Sequence, residues 1–344
     1  MMHSERELPA GARIALAVAL SITLAAAVLA LFTKDFSPAL GQFFFEPFAN
    51  RYFFGNYIAD SVPLMIAGLG VLIAFRSRNF NLGGEGQIYA GAIAAGMLAL
   101  SLPERIPPAQ AWLFAALAGM VAGGLIGALS GILKALWHVS EMISSFLISA
   151  IVLNVGDYLI TGPFQDPASN FQTTRQISSQ LLLPRILAPS KLDISVFIGL
   201  ALIAVLAIMS KHTRPGFELR VCGENEEFAR YCGIPVALYQ SAAMAISGAL
   251  YGLAGALIVM GPQARVMRGF SSGLGWSAIS VALLAQSSEA GILPSALFIA
   301  YLKAGSDHVM IGSGVPSEII SILQAAAMFF ITARHFPVRK RRRP

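Results

Sequence analysis

Nine residues, NFNLGGEGQ at 79–87, hold the densest chemistry in the chain. Asn79 and Asn81 supply two side-chain amides, and Gly83, Gly84 and Gly86 supply a backbone free to turn. Glu85 adds a carboxylate and Gln87 a third amide. Such a set can cap a helix, hold a neighbouring backbone or hydrogen-bond a solute. Further polar residues, Ser144, Ser149, Asn154, Asp157, Ser277, Ser280 and Gln286, lie inside apolar runs. With Glu85 and Gln87 they are the candidate substrate-pathway residues. Most are neutral, which suits an uncharged, hydrogen-bonding solute. Each also has a simpler role as a helix–helix hydrogen bond.

Catalytic patterns are missing. The sequence has no GxxxxGK[ST] phosphate loop, no HExxH and no CxxC. Its histidines, at 3, 138, 212, 308 and 335, are scattered. Cys222 and Cys232 share one polar loop, with His212 the only further metal-binding type there, so they read as free thiols. No catalytic centre, metal site or cofactor of its own is expected.

The elements that must position these residues are membrane helices. Of the 344 residues, 56% are hydrophobic and 12% charged, and the mean hydropathy is +0.68. An ordinary soluble domain carries about 25% charged residues. The fold class expected is all-α, a polytopic transmembrane bundle of about ten spans forming a single domain over 1–344. A span needs about 20 mostly apolar residues. The candidates are 12–32, 59–75, 86–102, 112–135, 141–161, 194–210, 238–261, 273–288, 292–304 and 316–334. The first is long for a signal core and reads as an uncleaved helix.

Charge sets the orientation. With alternating spans, the inner side collects Arg6, Arg13, Arg76, Arg78, Lys134, Lys211, Arg214, Arg220, Arg230, Arg334, Arg339, Lys340, Arg341, Arg342 and Arg343, which is 15 of the 24 basic residues. Both termini then fall in the cytoplasm. So do the polar loop 211–237 and the basic tail 335–344, which meets the anionic membrane lipid. The net charge of +6 is therefore an orientation signal rather than a sign of nucleic-acid binding. Outside lie an aromatic segment, 34–57, and a proline-rich loop, 162–193.

Local patterns refine this picture. Gly119, Gly123, Gly127 and Gly131 fall on one helix face, and Gly248 and Gly252 repeat the spacing, which lets helices approach closely. In the inner loop, Pro215–Gly216 and Gly223 mark breaks, and a short helix over Glu224–Tyr231 is stopped by Gly233 and Pro235. That helix is a solvated connector or a docking element. For NFNLGGEGQ two arrangements satisfy the backbone. It is an inner turn with Asn81 capping the next helix, or it dips between helices with Glu85 buried and functional.

Three stretches carry a resemblance. AFRSRNFNLGGEGQIYAGAIAAG (74–96) resembles the FN-(I/L)-G-x-EGQ signature of ABC-transporter permeases of the branched-chain amino acid, ribose and nucleoside group. VCGENEEFARYCGIPV (221–236) resembles their cytoplasmic loop through Gly223, Asn225, Ala229, Arg230, Tyr231, Gly233 and Ile234. GVPSEIISILQAAAMFFITA (314–333) resembles the closing helix of permeases paired with basic-membrane-protein-type lipoproteins. The resemblance implies a permease that works as a pair, identical or homologous, above two cytoplasmic ATPases that bind the ATP. The helix at 224–233 would be the coupling helix, and an external lipoprotein would deliver a nucleoside or similar ring-bearing solute through the inner membrane of a prokaryote. One departure stands out. In SEMISSFLIS (140–149), Ser149 occupies the place where relatives show Asn, after Glu141, Ser144 and Ser145. Ribose, a branched-chain amino acid or a riboflavin-like compound is the alternative cargo. A self-contained secondary transporter or channel is the alternative class, and it would require an acidic residue deep in a span.

Overall fold

A computed structural model describes residues 36–313 except 104 and 287, with isolated positions 19, 23 and 27. The expected spans 12–32 and 316–334 and the tail 335–344 lie outside the described residues. The chain divides into two units, 48–300 and the combined segments 1–47 and 301–344. Regular structure among the described residues is helical, apart from isolated β-bridges within the loop 162–193 and between it and Met267.

In the larger unit, α2 (Arg51–Arg76) opens with Asn50, whose Oδ1 accepts the Phe53 N–H at 2.9 Å. This cap starts the helix eight residues before the expected span at 59, so Phe53, Phe54 and Tyr57 belong to α2 rather than to a surface segment. Then follow α3 (Gly84–Ser101), α4 (Pro108–Trp137), α5 (Glu141–Thr161), α6 (Ser195–His212), α7 (Arg214–Glu224), α8 (Glu226–Tyr231) and α9 (Val236–Ile258). Last come α10 (Leu274–Leu284) and α11 (Glu289–Ser313), which continues past residue 300. In the smaller unit, α1 (Phe36–Phe44) packs Phe43 edge-on to Tyr301, whose hydroxyl donates to the Phe44 carbonyl at 3.1 Å.

Five described helices are long and apolar enough to cross a membrane: α2, α4, α5, α6 and the stretch Val236–Gln263 that α9 begins. They contain the expected spans 59–75, 112–135, 141–161 and 238–261, and all but the first residue of 194–210. The span expected at 273–288 is corrected. It holds α10, an 11-residue helix of about 16 Å, too short to cross. The chain reaches α10 through a π-helical turn at Val259–Gln263, non-helical backbone at Gly261, and left-handed residues Ala264, Gly269, Ser272 and Gly273. Helical hydrogen bonding cannot run through such conformations.

α9 is the central post and packs on α4, α3 and α2. Its glycines meet those of α4. A Cβ on Gly252 would lie 2.0 Å from the Gly119 carbonyl oxygen, and one on Gly123 would lie 2.2 Å from that of Gly248. The glycine stripe is therefore a seam between two backbones. The other faces of α4 and α5 expose Leu117, Val121, Leu125, Ile143, Leu147 and Ile151. Apolar residues inside and outside alike belong to a protein whose solvent is lipid.

The loop 162–193 holds only a one-turn helix, Ser179–Leu181. It is fastened by Leu183 N–H to Met260 O (2.8 Å), Ile177 N–H to Ala264 O (2.8 Å) and Thr174 N–H to Val266 O (2.9 Å). The irregular backbone after α9 thus has loop backbone as its partner, as an irregular segment at the membrane must.

Candidate functional site

The signature loop enters from the end of α2 and is buried, with Asn79 and Asn81 each at most 2% exposed. Asn79 Nδ2 donates to Ser77 Oγ and to the Gln240 carbonyl on α9, both at 2.8 Å. Its Oδ1 accepts from Lys134 Nζ on α4 at 2.7 Å. Asn81 and Gln87 form a reciprocal amide pair at 2.9 and 3.1 Å, and Asn81 Nδ2 also reaches Ser247 Oγ on α9 at 3.0 Å.

α5 clamps the loop from the other side. Glu141, Ser145 and Ser149, four residues apart, share one helix face. They accept the N–H groups of Phe80 (3.3 Å), Leu82 (3.1 Å) and Gly86 (2.8 Å). Lys134 pairs with Glu141 at 3.0 Å. A Cβ on Gly86 would sit 2.7 Å from the Ser149 Cα, so α3 and α5 touch there. Ser149 spends its hydroxyl on this contact.

The loop dips between helices, and Asn81 does not cap α3. The cap residue is Gly83, without a side-chain cap, and Asn81 Oδ1 instead closes a turn onto the Gly83 N–H at 2.9 Å. Glu85 is half-buried and caps a different helix. Its carboxylate accepts the Gly273 N–H at 2.7 Å and the Gly275 N–H at 2.6 Å, at the start of α10. A carboxylate there complements both unpaired N–H groups and the helix dipole.

The structure thus gathers Glu85, Gln87 and Ser149 into one network, joined to Asn79, Asn81, Gly83, Gly84 and Gly86. Ser144 is buried and donates to the Glu141 carbonyl at 3.4 Å. Ser277 and buried Ser280 lie on α10, the helix that Glu85 holds, and exposed Gln286 follows its end. Asn154 is exposed on α5 amid apolar neighbours and bonds only to its own helix, at Ala150 O (2.8 Å). Asp157 belongs to a separate cluster near the C-terminal end of α5. It accepts from Tyr89 Oη (2.5 Å) and pairs with Arg268 (3.0 Å), which also donates to Gln172 (3.0 Å), while the Tyr89 ring stacks on Phe270. Sequence reasoning missed Lys134, Gln240, Ser247, Tyr89 and Arg268. The spacing 141, 145, 149 was the legible signal for the clamp; the remaining partners carry no local pattern.

The loop 211–237 holds two helices, α7 and α8, where one was expected. Pro215 and Gly216 begin α7, since Thr213 Oγ1 accepts the Gly216 N–H at 3.3 Å. Gly223 lies inside α7, where its bare Cα lets the helix rest on the Arg76 carbonyl, 2.0 Å from a hypothetical Cβ. The break falls at Asn225, whose Oδ1 caps α8 through the Phe228 N–H at 3.0 Å. At the other end Gly233, φ +77°, lets its N–H reach Arg230 O and the Ile234 N–H reach Ala229 O, both at 3.0 Å. This is a Schellman closure. Ala229 is buried against Cys222 and Val236, with Ile234 packed beside them. Arg230 pairs with Glu226 at 2.5 Å, while Phe228 and Tyr231 project outward, Tyr231 being 91% exposed. The Tyr239 hydroxyl, then Arg214, hold the Glu218 carboxyl below the usual range. Burial, then the carboxylates of Glu218 and Glu226, pushes the Cys222 thiol up.

Outward-facing apolar helices and a polar loop plugged between them define a multi-pass membrane protein of the permease class. The chain belongs to the family of permease components of the branched-chain amino acid transport system, whose description matches residues 53–332. It is a membrane subunit of an ABC transporter, a family that acts with ATPase and substrate-binding partners. Relatives carry different cargo names. A riboflavin import permease protein RfuC of Treponema pallidum, itself described as probable, is 32% identical over 93% of this chain and 84% of its own. The guanosine ABC transporter permease protein NupP of Bacillus subtilis is 31% identical over 92% of each. The glucose ABC transporter permease protein TsgB13 of Haloferax volcanii is 30% identical over 93% and 87%.

Proposed function

We propose that this chain is the permease of an ATP-driven importer in a prokaryotic inner membrane, carrying a nucleoside or similar ring-bearing solute handed over by an external lipoprotein. It works with a second permease, identical or homologous, and with a cytoplasmic ATPase that binds the ATP. One domain over 1–344, with the loop 211–237 and the tail 335–344 inside, serves this role.

The observation that carries the reading is α8. Six residues are fixed at both ends and from below, yet two aromatic side chains, Phe228 and Tyr231, point away from this chain. A short element held this firmly while exposing rings is built to be gripped, and α7 transmits its position to the signature loop through Gly223 and Arg76. The candidate path runs along Asn154 on α5 and Ser277 on α10, beside Phe146 and Trp276, whose rings meet edge-on with centroids 6.3 Å apart. Neutral polar groups beside aromatic surface favour a ring-bearing, uncharged solute. A sugar or a flavin is the second reading, favoured by the names of RfuC and TsgB13.

The test is a pull-down of the tagged chain in mild detergent, with its partners identified by mass spectrometry. Recovery of a phosphate-loop ATPase, a permease partner and a lipoprotein supports the importer. The recovered lipoprotein is then titrated with guanosine, riboflavin and glucose to fix the cargo. A chain that comes down alone and moves solute in vesicles without ATP overturns the proposal.

A further inference from the structure

A cleft of about 320 Å³ opens between α8 and the turn joining α4 to α5. That volume lies within the roughly 300–1,000 Å³ of small-ligand sites. Its polar lining includes Lys134 on α4, His138 in the turn, Glu141 at the start of α5, and Glu226 and Arg230 on α8. Gln240 closes it on α9.

Its level in the membrane follows from its neighbours. α4 exposes apolar side chains to its last residues, Leu136 and Trp137, and α5 exposes Met142 and Ile143 from its first turn. Three residues, His138 to Ser140, separate the helices. The turn therefore sits where hydrocarbon gives way to headgroups, the depth that suits Trp137.

The charges inside are balanced. Lys134 pairs with Glu141 at 3.0 Å, and Arg230 with Glu226 at 2.5 Å. Hydrogen-bonding capacity is left over on both sides. Lys134 uses two of its three protons, on Asn79 and Glu141. Arg230 uses one of its five N–H groups. Among the described residues, no hydrogen bond to the second oxygen of Glu141 or of Glu226 is seen. The cleft thus offers donors for a phosphate and acceptors for an ammonium. A free phosphate or an anionic headgroup would leave the two carboxylates facing an anion. A choline group has no N–H to donate.

We propose that this cleft binds the headgroup of a phosphatidylethanolamine-type phospholipid, its phosphate on Arg230, Lys134 and His138 and its ammonium on Glu226 and Glu141. The acyl chains lie along the apolar faces of Trp137 and Ile143. Bound lipid wedges α8 against the α4–α5 turn.

The full chain in nanodiscs tests this, with Trp112→Phe and Trp276→Phe leaving Trp137 as the only indole. Quenching of Trp137 is titrated with acyl-brominated lipids that differ only in headgroup. The ethanolamine lipid is expected to quench at a mole fraction roughly threefold to tenfold below the choline or glycerol lipids, as one or two charge-assisted contacts allow. His138→Ala and Glu226→Gln should each shrink that preference while leaving unquenched emission and particle size unchanged. Equal quenching by all three headgroups, or a preference for the glycerol lipid, would overturn the proposal. Displacement of the ethanolamine lipid by millimolar inorganic phosphate would overturn it too, by making the cleft a soluble-phosphate site.

Discussion

Replacing Glu85 by Gln isolates the contact that joins the signature loop to α10. The carboxylate receives two backbone N–H groups, from Gly273 at 2.7 Å and Gly275 at 2.6 Å. Gln keeps one acceptor oxygen and turns an NH₂ toward the other N–H, so one bond is lost and the survivor loses its charge. A hydrogen bond to a charged group is worth about 1.5–3 kcal/mol and a neutral one about 1 kcal/mol. The net cost to the start of α10 is therefore about 2–5 kcal/mol, with the helix-dipole contribution inside that range. At about 1.4 kcal/mol per factor of ten, local opening should rise by roughly 30-fold at the low end and roughly 4,000-fold at the high end. Hydrogen exchange by mass spectrometry, on the full chain in nanodiscs, reads this over 272–277. Protection there should fall by that factor, while the central α9 peptides stay as they were. Asp at 85, shorter by one methylene, should land between the two. Unchanged exchange over 272–277 in the Gln variant would refute the reasoning, because the two N–H groups would then owe nothing to Glu85.

Three further outcomes are expected. Gly252→Val sets a branched side chain into the seam with α4, where even a Cβ lies 2.0 Å from a carbonyl oxygen. Overpacking of this kind costs about 3 kcal/mol or more, so the melting temperature in detergent should drop by several degrees, and an unchanged value would contradict the seam. Gly233→Val forces a β-branched residue to φ +77°, at about 1–2 kcal/mol, and Arg230→Glu breaks the pair with Glu226. Both should abolish uptake and uncouple the ATPase while the chain still inserts, and normal uptake by either would remove α8 from the coupling role. The link between α7 and α9 through Glu218 and Tyr239 has a pH dependence. Because the folded Glu218 carboxyl is held low, its stabilisation is complete above the ordinary carboxylate range and is lost as pH falls through the lowered value. Exchange over 214–224 should rise on acidification, and Glu218→Gln should flatten that response.

The helical class, five of the spans and the place of the polar loops were legible in the sequence. Hydropathy over 20 residues is a local property, and in lipid it leaves few backbone solutions. The glycine stripe at 119, 123, 127 and 131 was legible for the same reason, since a fixed spacing selects one helix face. Gly233 marked the stop of α8, whereas Asn225, read as part of the short helix, caps it instead. Where α10 ends was not legible: the expected run continues to 288, but the helix stops at Leu284 and Gln286 takes a left-handed φ of +49°. The irregular backbone from Gly261 to Gly273 that leads into it is held by bonds to the loop 162–193, far away in the chain.

The signature loop divides along the same line. Its residues announced polar work, and the bare sequence left open a helix cap or a buried loop. Only the tertiary structure decided that Asn81 answers Gln87 and Ser247, that Lys134 and the Glu141–Ser145–Ser149 face hold the loop, and that Glu85 serves α10. Each partner is on another helix, and a side chain's hydrogen-bonding capacity does not reveal which distant helix will use it. The sequence by itself therefore determined which groups had to be satisfied inside the membrane. The packing of α9 against α4, with glycine seams close enough to bring α2, α3, α5 and α10 around one loop, determined what satisfies them.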